Sequence, residues 1–156
     1  MNLSDVIHKQ SIIPNIKSVD KMGVLKEMAT ALSFIVNTEA GTIFDAIWER
    51  EQLCSTGIGG GIAFPTGKLT SINSIVVGLG ISHQGVYYYN SLDNKPVHII
   101  FLMITPTNPN GDYLRIKAQI SKFLNKKNFK ESLLKAESVE EIVNIFNSED
   151  KNQFFG

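Results

Sequence analysis

Met22, Leu25, Met28, Leu32 and Ile35 recur at three- and four-residue steps, which puts them on one face of a helix. Ser18 or Asp20 stands where a cap is needed, so a helix is predicted to run to about Val36. A second helix is predicted from about Glu39 to Leu53, with Ile43, Phe44, Ile47 and Trp48 turned inward. The pattern then shortens to β-type runs at Ile62 to Pro65, Ile75 to Ile81, Val86 to Tyr89 and Val97 to Ile104. The last run is apolar on both faces, which marks a central strand. Beyond a loop with two prolines and Gly111 the helical period returns: Ile116, Ile120, Phe123 and Leu124 share one face. A short helix is predicted over Lys130 to Lys135. Ser138, with Glu141 completing a capping box, opens a last helix whose stripe is Val139, Ile142, Val143 and Phe146.

This order, without repeat or linker, predicts a single α/β domain, a mixed β-sheet with helices packed on it, spanning residues 1–147. Residues 148–156 are expected to form a frayed, flexible tail. A chain of 156 residues that is 43% hydrophobic can bury a core of ordinary size. Fifteen basic residues balance fifteen acidic ones, so no whole-molecule field draws in nucleic acid or an anionic membrane. The longest apolar run, Ile99 to Ile104, is six residues, far below the ~20 needed to cross a bilayer, so the chain is expected not to be membrane-embedded. Cys54 has no intrachain partner, and the first residues lack the basic and apolar segments of a signal peptide, so a cytoplasmic location is expected. Three histidines, His8, His83 and His98, and one cysteine supply almost no material for a zinc site, and neither metal nor cofactor is expected.

Ser55 to Lys68, STGIGGGIAFPTGK, holds five of the twelve glycines. Glycine permits positive φ and lets several N–H groups converge, which makes a concave anion site, and the Ser55 and Thr56 hydroxyls, Gly57, Gly59 and Lys68 are candidates to form it. A tight helix-to-strand turn without ligand explains the same glycines. Two named phosphate loops fail on spacing. A Walker A motif ending at Gly67-Lys68 needs a glycine where Ile62 stands and a hydroxyl where Leu69 stands. A dinucleotide fingerprint starting at Gly57 or Gly59 meets Ile62 or Phe64 in place of its third glycine.

The run from Arg50 through Lys68, R-E-x-x-x-S-T-G-I-G-x-G-I-A-x-P-x-G-K, resembles the active-site region of the enzyme IIA domains of the bacterial phosphoenolpyruvate-dependent sugar phosphotransferase system, of the fructose, mannitol and nitrogen-regulatory type. The stretch DNKPVHIIFLMITP resembles a further strand of that family, and the likeness covers nearly the whole chain. It implies the family's α/β fold and a histidine, between the proline and the glycine, that takes a phosphoryl group from the histidine phosphocarrier protein and hands it on. It also implies an arginine, here Arg50, that adds charge-assisted hydrogen bonds to that group. The sequence departs from the pattern where the chemistry happens. Thr66 stands between Pro65 and Gly67, and the family's second histidine falls at about Tyr113, with Arg115 nearby. A threonine hydroxyl is a weak nucleophile without an adjacent base, and its phosphate ester is a poor donor.

The resemblance thus implies a regulatory enzyme IIA-like protein of the nitrogen-regulatory type. It would act on partners such as the histidine phosphocarrier protein or other phosphotransferase-system and regulatory proteins. An active carrier using Thr66 or a displaced histidine stays open, as does a sensor in which Arg50, the loop amides and Arg115 hold a phosphorylated metabolite. His98, in an apolar strand, reads as a core or edge histidine with a satisfied hydrogen bond. Cys54 reads as a small buried residue, Tyr87 to Tyr89 as a hairpin strand with one ring outward, and the basic stretch from 115 to 130 as a solvated helix face or a docking surface.

Overall fold

The computed structural model of the chain describes residues 2–150 together with Phe154 and Phe155. Its elements are α1 (Leu3–Val6), β1 (Ile7–Ile13), α2 (Lys21–Val36), α3 (Ala40–Leu53), β2 (Gly57–Gly59), β3 (Ile62–Ala63), β4 (Thr66–Lys68), β5 (Val76–Val86), β6 (Val97–Thr105), α4 (Asp112–Leu124), α5 (Phe129–Lys135) and α6 (Val139–Glu149). Six strands make one sheet in the order β1-β5-β6-β3-β2, with β4 continuing β3 along the same edge of β6. The sheet is mixed. β1 runs parallel to β5, β5 antiparallel to β6, and β3 and β4 both parallel to β6.

Both faces of the sheet are covered, which is why β5 and β6 are apolar throughout. On one face Leu25, Met28 and Leu32 of α2 and Ile43 and Ile47 of α3 pack on Ile100, Leu102 and Ile104. On the other, Ile116 and Ile120 of α4, Leu133 of α5 and Ile142 of α6 pack on Leu79, Phe101 and Met103. Local signals set the helix starts. Asp20 caps α2 by accepting from the Gly23 amide at 2.7 Å, and Ser138 caps α6 by accepting from Glu141 at 3.1 Å. The Glu141 carboxylate reaches the Glu137 amide rather than Ser138, so the capping box closes one residue early.

Four expectations are corrected. β1 was not foreseen, because its middle residues His8 to Ser11 are polar and only pairing with β5 makes it a strand. Val86 to Tyr89 is not a separate strand: β5 ends at Val86 and the chain turns, with Tyr88 at φ 59. Cys54 is exposed, one residue past the end of α3. The boundary at 147 falls inside α6, and Phe155 is buried, its amide donating to Asn147 Oδ1 at 2.6 Å. Phe154 and Phe155 join Phe123 and Phe146 in one aromatic cluster, while the remaining residues of the expected tail, 151–153 and 156, lie outside the described residues.

Candidate functional site

Gly67 sets the geometry of the site. A Cβ there would stand 3.1 Å from the Ile47 amide nitrogen and 3.2 Å from the Ala46 carbonyl carbon, so its absence lets β4 lie directly against α3. That approach brings the last turn of α3 over Thr66. Residues adjacent in a helix point about 100° apart, so Arg50 and Glu51 leave α3 in different directions. Arg50 faces the cleft beside β4, and Glu51 enters the interior, its side chain 1% exposed.

Arg50, Thr66, Gly67 and Lys68 form the wall shared by two adjoining hollows. One, of about 320 Å³, extends under Glu49 and Leu53 of α3. The other, of about 350 Å³, is closed by Thr105, Pro109 and Tyr113. Thr105 arrives there because it pairs with Lys68 across the β4–β6 register, and Tyr113 because α4 starts just after the loop that leaves β6. One Arg50 N–H donates to the Cys54 carbonyl at 2.7 Å, which leaves the other donors of the guanidinium. Among the described residues the Lys68 ammonium and the Thr66, Thr105 and Tyr113 hydroxyls have no protein hydrogen-bond partner. The shared wall therefore presents two cations and the Thr66 hydroxyl, Thr105 and Tyr113 line the second hollow alone, and Glu49 lines only the hollow on the α3 side.

Ser55, Thr56, Gly57 and Gly59 are not part of this wall. Thr56 is buried, and its hydroxyl donates to the Glu51 carboxylate, which also receives the Thr56 amide at 3.1 Å. Ser55 Oγ donates to the Tyr89 carbonyl at 3.0 Å and accepts the Gly57 amide at 3.2 Å. The Gly59 and Gly60 amides donate to Ser91 Oγ and Asp93 Oδ2, each at 3.0 Å. These N–H groups satisfy the protein's own turn, and the positive φ of Gly59, Gly60 and Gly61 forms a hairpin tip. Asp93 is held below the usual carboxylate range by the Gly60 amide first and the Lys95 amide second. Arg115 also lies apart: it is exposed on α4 and lines neither hollow.

A second cluster went unseen in the sequence. Lys21 at the start of α2, Glu51 in α3, Thr56 and Tyr89 converge inside the fold, with the Tyr89 hydroxyl donating to Glu51 Oε1 at 3.2 Å. Lys21 Nζ lies 2.7 Å from Glu51 Oε2, donates to the Tyr89 carbonyl at 3.1 Å and stands 4.3 Å from the centre of its ring. Burial, and then the Glu51 carboxylate, push the Tyr89 phenol well above its usual value. The sequence signal was faint: an acidic residue after Arg50 and the third member of a tyrosine triplet.

The histidines stand elsewhere. His83 Nε2 lies 3.0 Å from the Pro14 carbonyl, and His98 Nδ1 lies 2.8 Å from the Ser82 carbonyl, the satisfied bond expected of it. His98 is near the Gly61 turn but five residues along β6 from Met103, the register partner of Thr66, a separation of roughly 16 Å at the strand rise. His8 is in β1, separated from β4 by β5 and β6. Among the described residues no group of His, Cys, Asp and Glu is arranged to hold a metal ion, and no helix is long and apolar enough to cross a membrane.

Residues 5–149 match the family described as phosphoenolpyruvate-dependent sugar phosphotransferase system, EIIA 2. The chain belongs to the EIIA 2 family. It is 35% identical over 157 residues to the fructose-specific EIIABC component of the phosphotransferase system of Bacillus subtilis, covering 97% of this chain and 24% of that protein, so it spans about a quarter of that relative. It is 26% identical over 145 residues to the nitrogen regulatory protein of Bradyrhizobium diazoefficiens, covering 93% of this chain and 94% of that one. In structure, the EIIA 2 chain matches the nitrogen regulatory protein IIA-Ntr of Neisseria meningitidis with a TM-score of 0.83 at 24% identity, over 92% of this chain and 97% of that one. It matches mannitol IIA of Escherichia coli with a TM-score of 0.73 at 18% identity, over 88% and 96%. Both likenesses are of fold, and both confirm the mixed sheet with helices packed on it.

Proposed function

We propose that this chain is a regulatory EIIA 2 protein that docks on protein partners and does not relay phosphate through histidine. One observation carries the reading: the cationic wall of Arg50 and Lys68 surrounds Thr66 and Tyr113, and no imidazole lines either hollow. The family resemblance implies that Thr66 takes the position of the phosphoacceptor histidine and that the second histidine falls at about Tyr113. A threonine needs a base to become a nucleophile, and the Thr66 hydroxyl is hydrogen-bonded to none. A phosphothreonine ester would also be too stable to hand its group onward.

Leu53, which lines one hollow and is 80% exposed, is an apolar anchor for a partner. Suitable partners are the histidine phosphocarrier protein and other phosphotransferase-system or regulatory proteins. The nitrogen-regulatory branch is supported by relatives of that name that this chain covers nearly end to end, such as that of Bradyrhizobium diazoefficiens at 94%. On this reading the protein works in the cytoplasm, where such partners are found. The test is incubation with phosphoenolpyruvate and the general phosphotransferase proteins. No acid-labile phosphate is expected on this chain, and a stoichiometric label would overturn the reading.

A further inference from the structure

Independently of how the cleft works, we infer that a separate hollow, between α4, the segment ahead of α1 and the end of α6, is a binding site for a free α-amino acid with an aliphatic side chain. The hollow has a volume of about 490 Å³, within the range of small-molecule sites. Lys122, Phe123 and Lys126 of α4 line it, together with Asn2 ahead of α1 and with Glu149 and Phe154 at and beyond the end of α6. It is distinct from the cleft, because roughly 14 Å of helix separates Tyr113, which borders the cleft, from Lys122. Gln119 closes one wall, its amide engaged with the Leu3 N–H at 2.6 Å and Asn2 Oδ1 at 3.1 Å.

The chemistry of the ligand follows from the lining. Two cations, Lys122 and Lys126, and two carboxylates, Glu149 and Asp150, balance one another, so the hollow suits a molecule that is neutral as a whole but carries both signs. Lys122 and the Glu149 carboxylate make no hydrogen bond or ion pair among the described residues, which leaves one group of each sign for a ligand. Lys126 donates one N–H to the Glu149 carbonyl at 3.0 Å and keeps its others. Glu149 is also the last residue of α6, where the end of the helix adds negative potential that favours an ammonium. The amino group therefore belongs at Glu149 and the carboxylate at Lys122 and Lys126. A phosphate in the same place would meet the two carboxylates. Phe123, 8% exposed, packs against Phe129, Phe146 and Phe154, and Phe154 stacks on Phe146. Rings so engaged with one another favour a short aliphatic side chain over a sugar or nucleobase, which needs an open ring face.

The experiment titrates L-leucine into the full chain, with backbone amides followed by NMR and affinity measured by calorimetry. Saturable binding is expected with a Kd below about 1 mM, shifting the amides of Lys122, Phe123 and Glu149 and leaving those of Thr66 and Lys68 in place. Two analogues separate the charges: 4-methylpentanoate is leucine without its amine, and leucinol lacks the carboxylate. Each should bind at least about tenfold more weakly than leucine, the worth of one charge-assisted hydrogen bond. Glu149→Gln should remove the preference for leucine over 4-methylpentanoate, and Lys122→Gln should shrink its preference over leucinol. Lys127→Gln, exposed on the same stretch but outside the hollow, should change neither ratio. Absence of saturable leucine binding, equal affinity for leucine and both analogues, or shifts confined to the cleft amides would each overturn the inference. D-Glucose and adenosine monophosphate are titrated in separate arms, and binding of either at Lys122 and Glu149 in place of leucine overturns it in favour of that class of ligand.

Discussion

Lys21 Nζ lies 2.7 Å from Glu51 Oε2 in the interior, where it joins the first residue of α2 to the last turn of α3. The Glu51 carboxylate is otherwise satisfied by Thr56 and Tyr89, so Lys21 supplies its counter-charge. Removing one member of a buried pair leaves an uncompensated charge, which costs about 3–5 kcal/mol. Lys21→Met should therefore lower the urea midpoint strongly, and adding Glu51→Gln to it should restore part of the loss. A double variant as unstable as the sum of the singles would contradict the coupling.

Tyr89 makes stability fall on the alkaline side. Its phenol is raised by burial and by Glu51, so the folded chain keeps that proton where the unfolded chain releases it. Below about pH 10 both states hold the proton and the contribution is complete; as pH rises further it is lost. Tyr89→Phe should flatten the decline in unfolding free energy measured between neutral pH and about pH 11. An unchanged slope would show that Tyr89 ionises as freely in the fold as outside it.

At Gly67, adding a methyl group forces β4 away from Ala46 and Ile47. Gly67→Ala should destabilise by about 1–3 kcal/mol, as overpacking does, and should shift the NMR signals of Thr66 and the last turn of α3. Stability within error of the parent would mean that the close approach carries no weight.

Tyr88 is 94% exposed with φ 59, a left-handed conformation that strains a bulky side chain and suits glycine. Tyr88→Gly should raise the unfolding free energy by up to about 1 kcal/mol, and Tyr88→Val should lower it. Thermal melts of the three proteins give the order directly, and Val above Gly would refute it.

Thr66 admits a gain-of-function test. Thr66→His, combined with Tyr113→His, puts imidazoles beside Arg50 and Lys68. The double variant should acquire acid-labile phosphate from phosphoenolpyruvate and the general phosphotransferase proteins, and the parent chain is expected to acquire none. A folded double variant that takes no label would show that the cleft lacks more than its nucleophile.

The helices were legible because each buries one stripe, and the three- and four-residue steps of Leu25, Met28 and Leu32 or of Ile142, Val143 and Phe146 record it. β6 was legible because both its faces are covered. β1 was not, since its polar middle becomes a strand only by pairing with β5. The Tyr87 to Tyr89 run misled because alternation of residue type says nothing about a positive φ at its centre. In the site, Arg50, Thr66 and Lys68 were found from a local run and Tyr113 from the resemblance, whereas Thr105 and Pro109 enter only through the end of β6 and the loop that follows it.

The sequence by itself determined the long helices and the central strand β6, the family they compose, and that threonine stands between Pro65 and Gly67. Tertiary structure alone decided where the polar groups of the glycine-rich segment point. Hydrogen bonds are directional, and a loop whose N–H groups look free in sequence can have them satisfied by side chains far along the chain, as Ser91 and Asp93 do for Gly59 and Gly60. The cationic wall thus formed away from Gly57 and Gly59, at Arg50 and Lys68, because Gly67 lets a helix and a strand meet there.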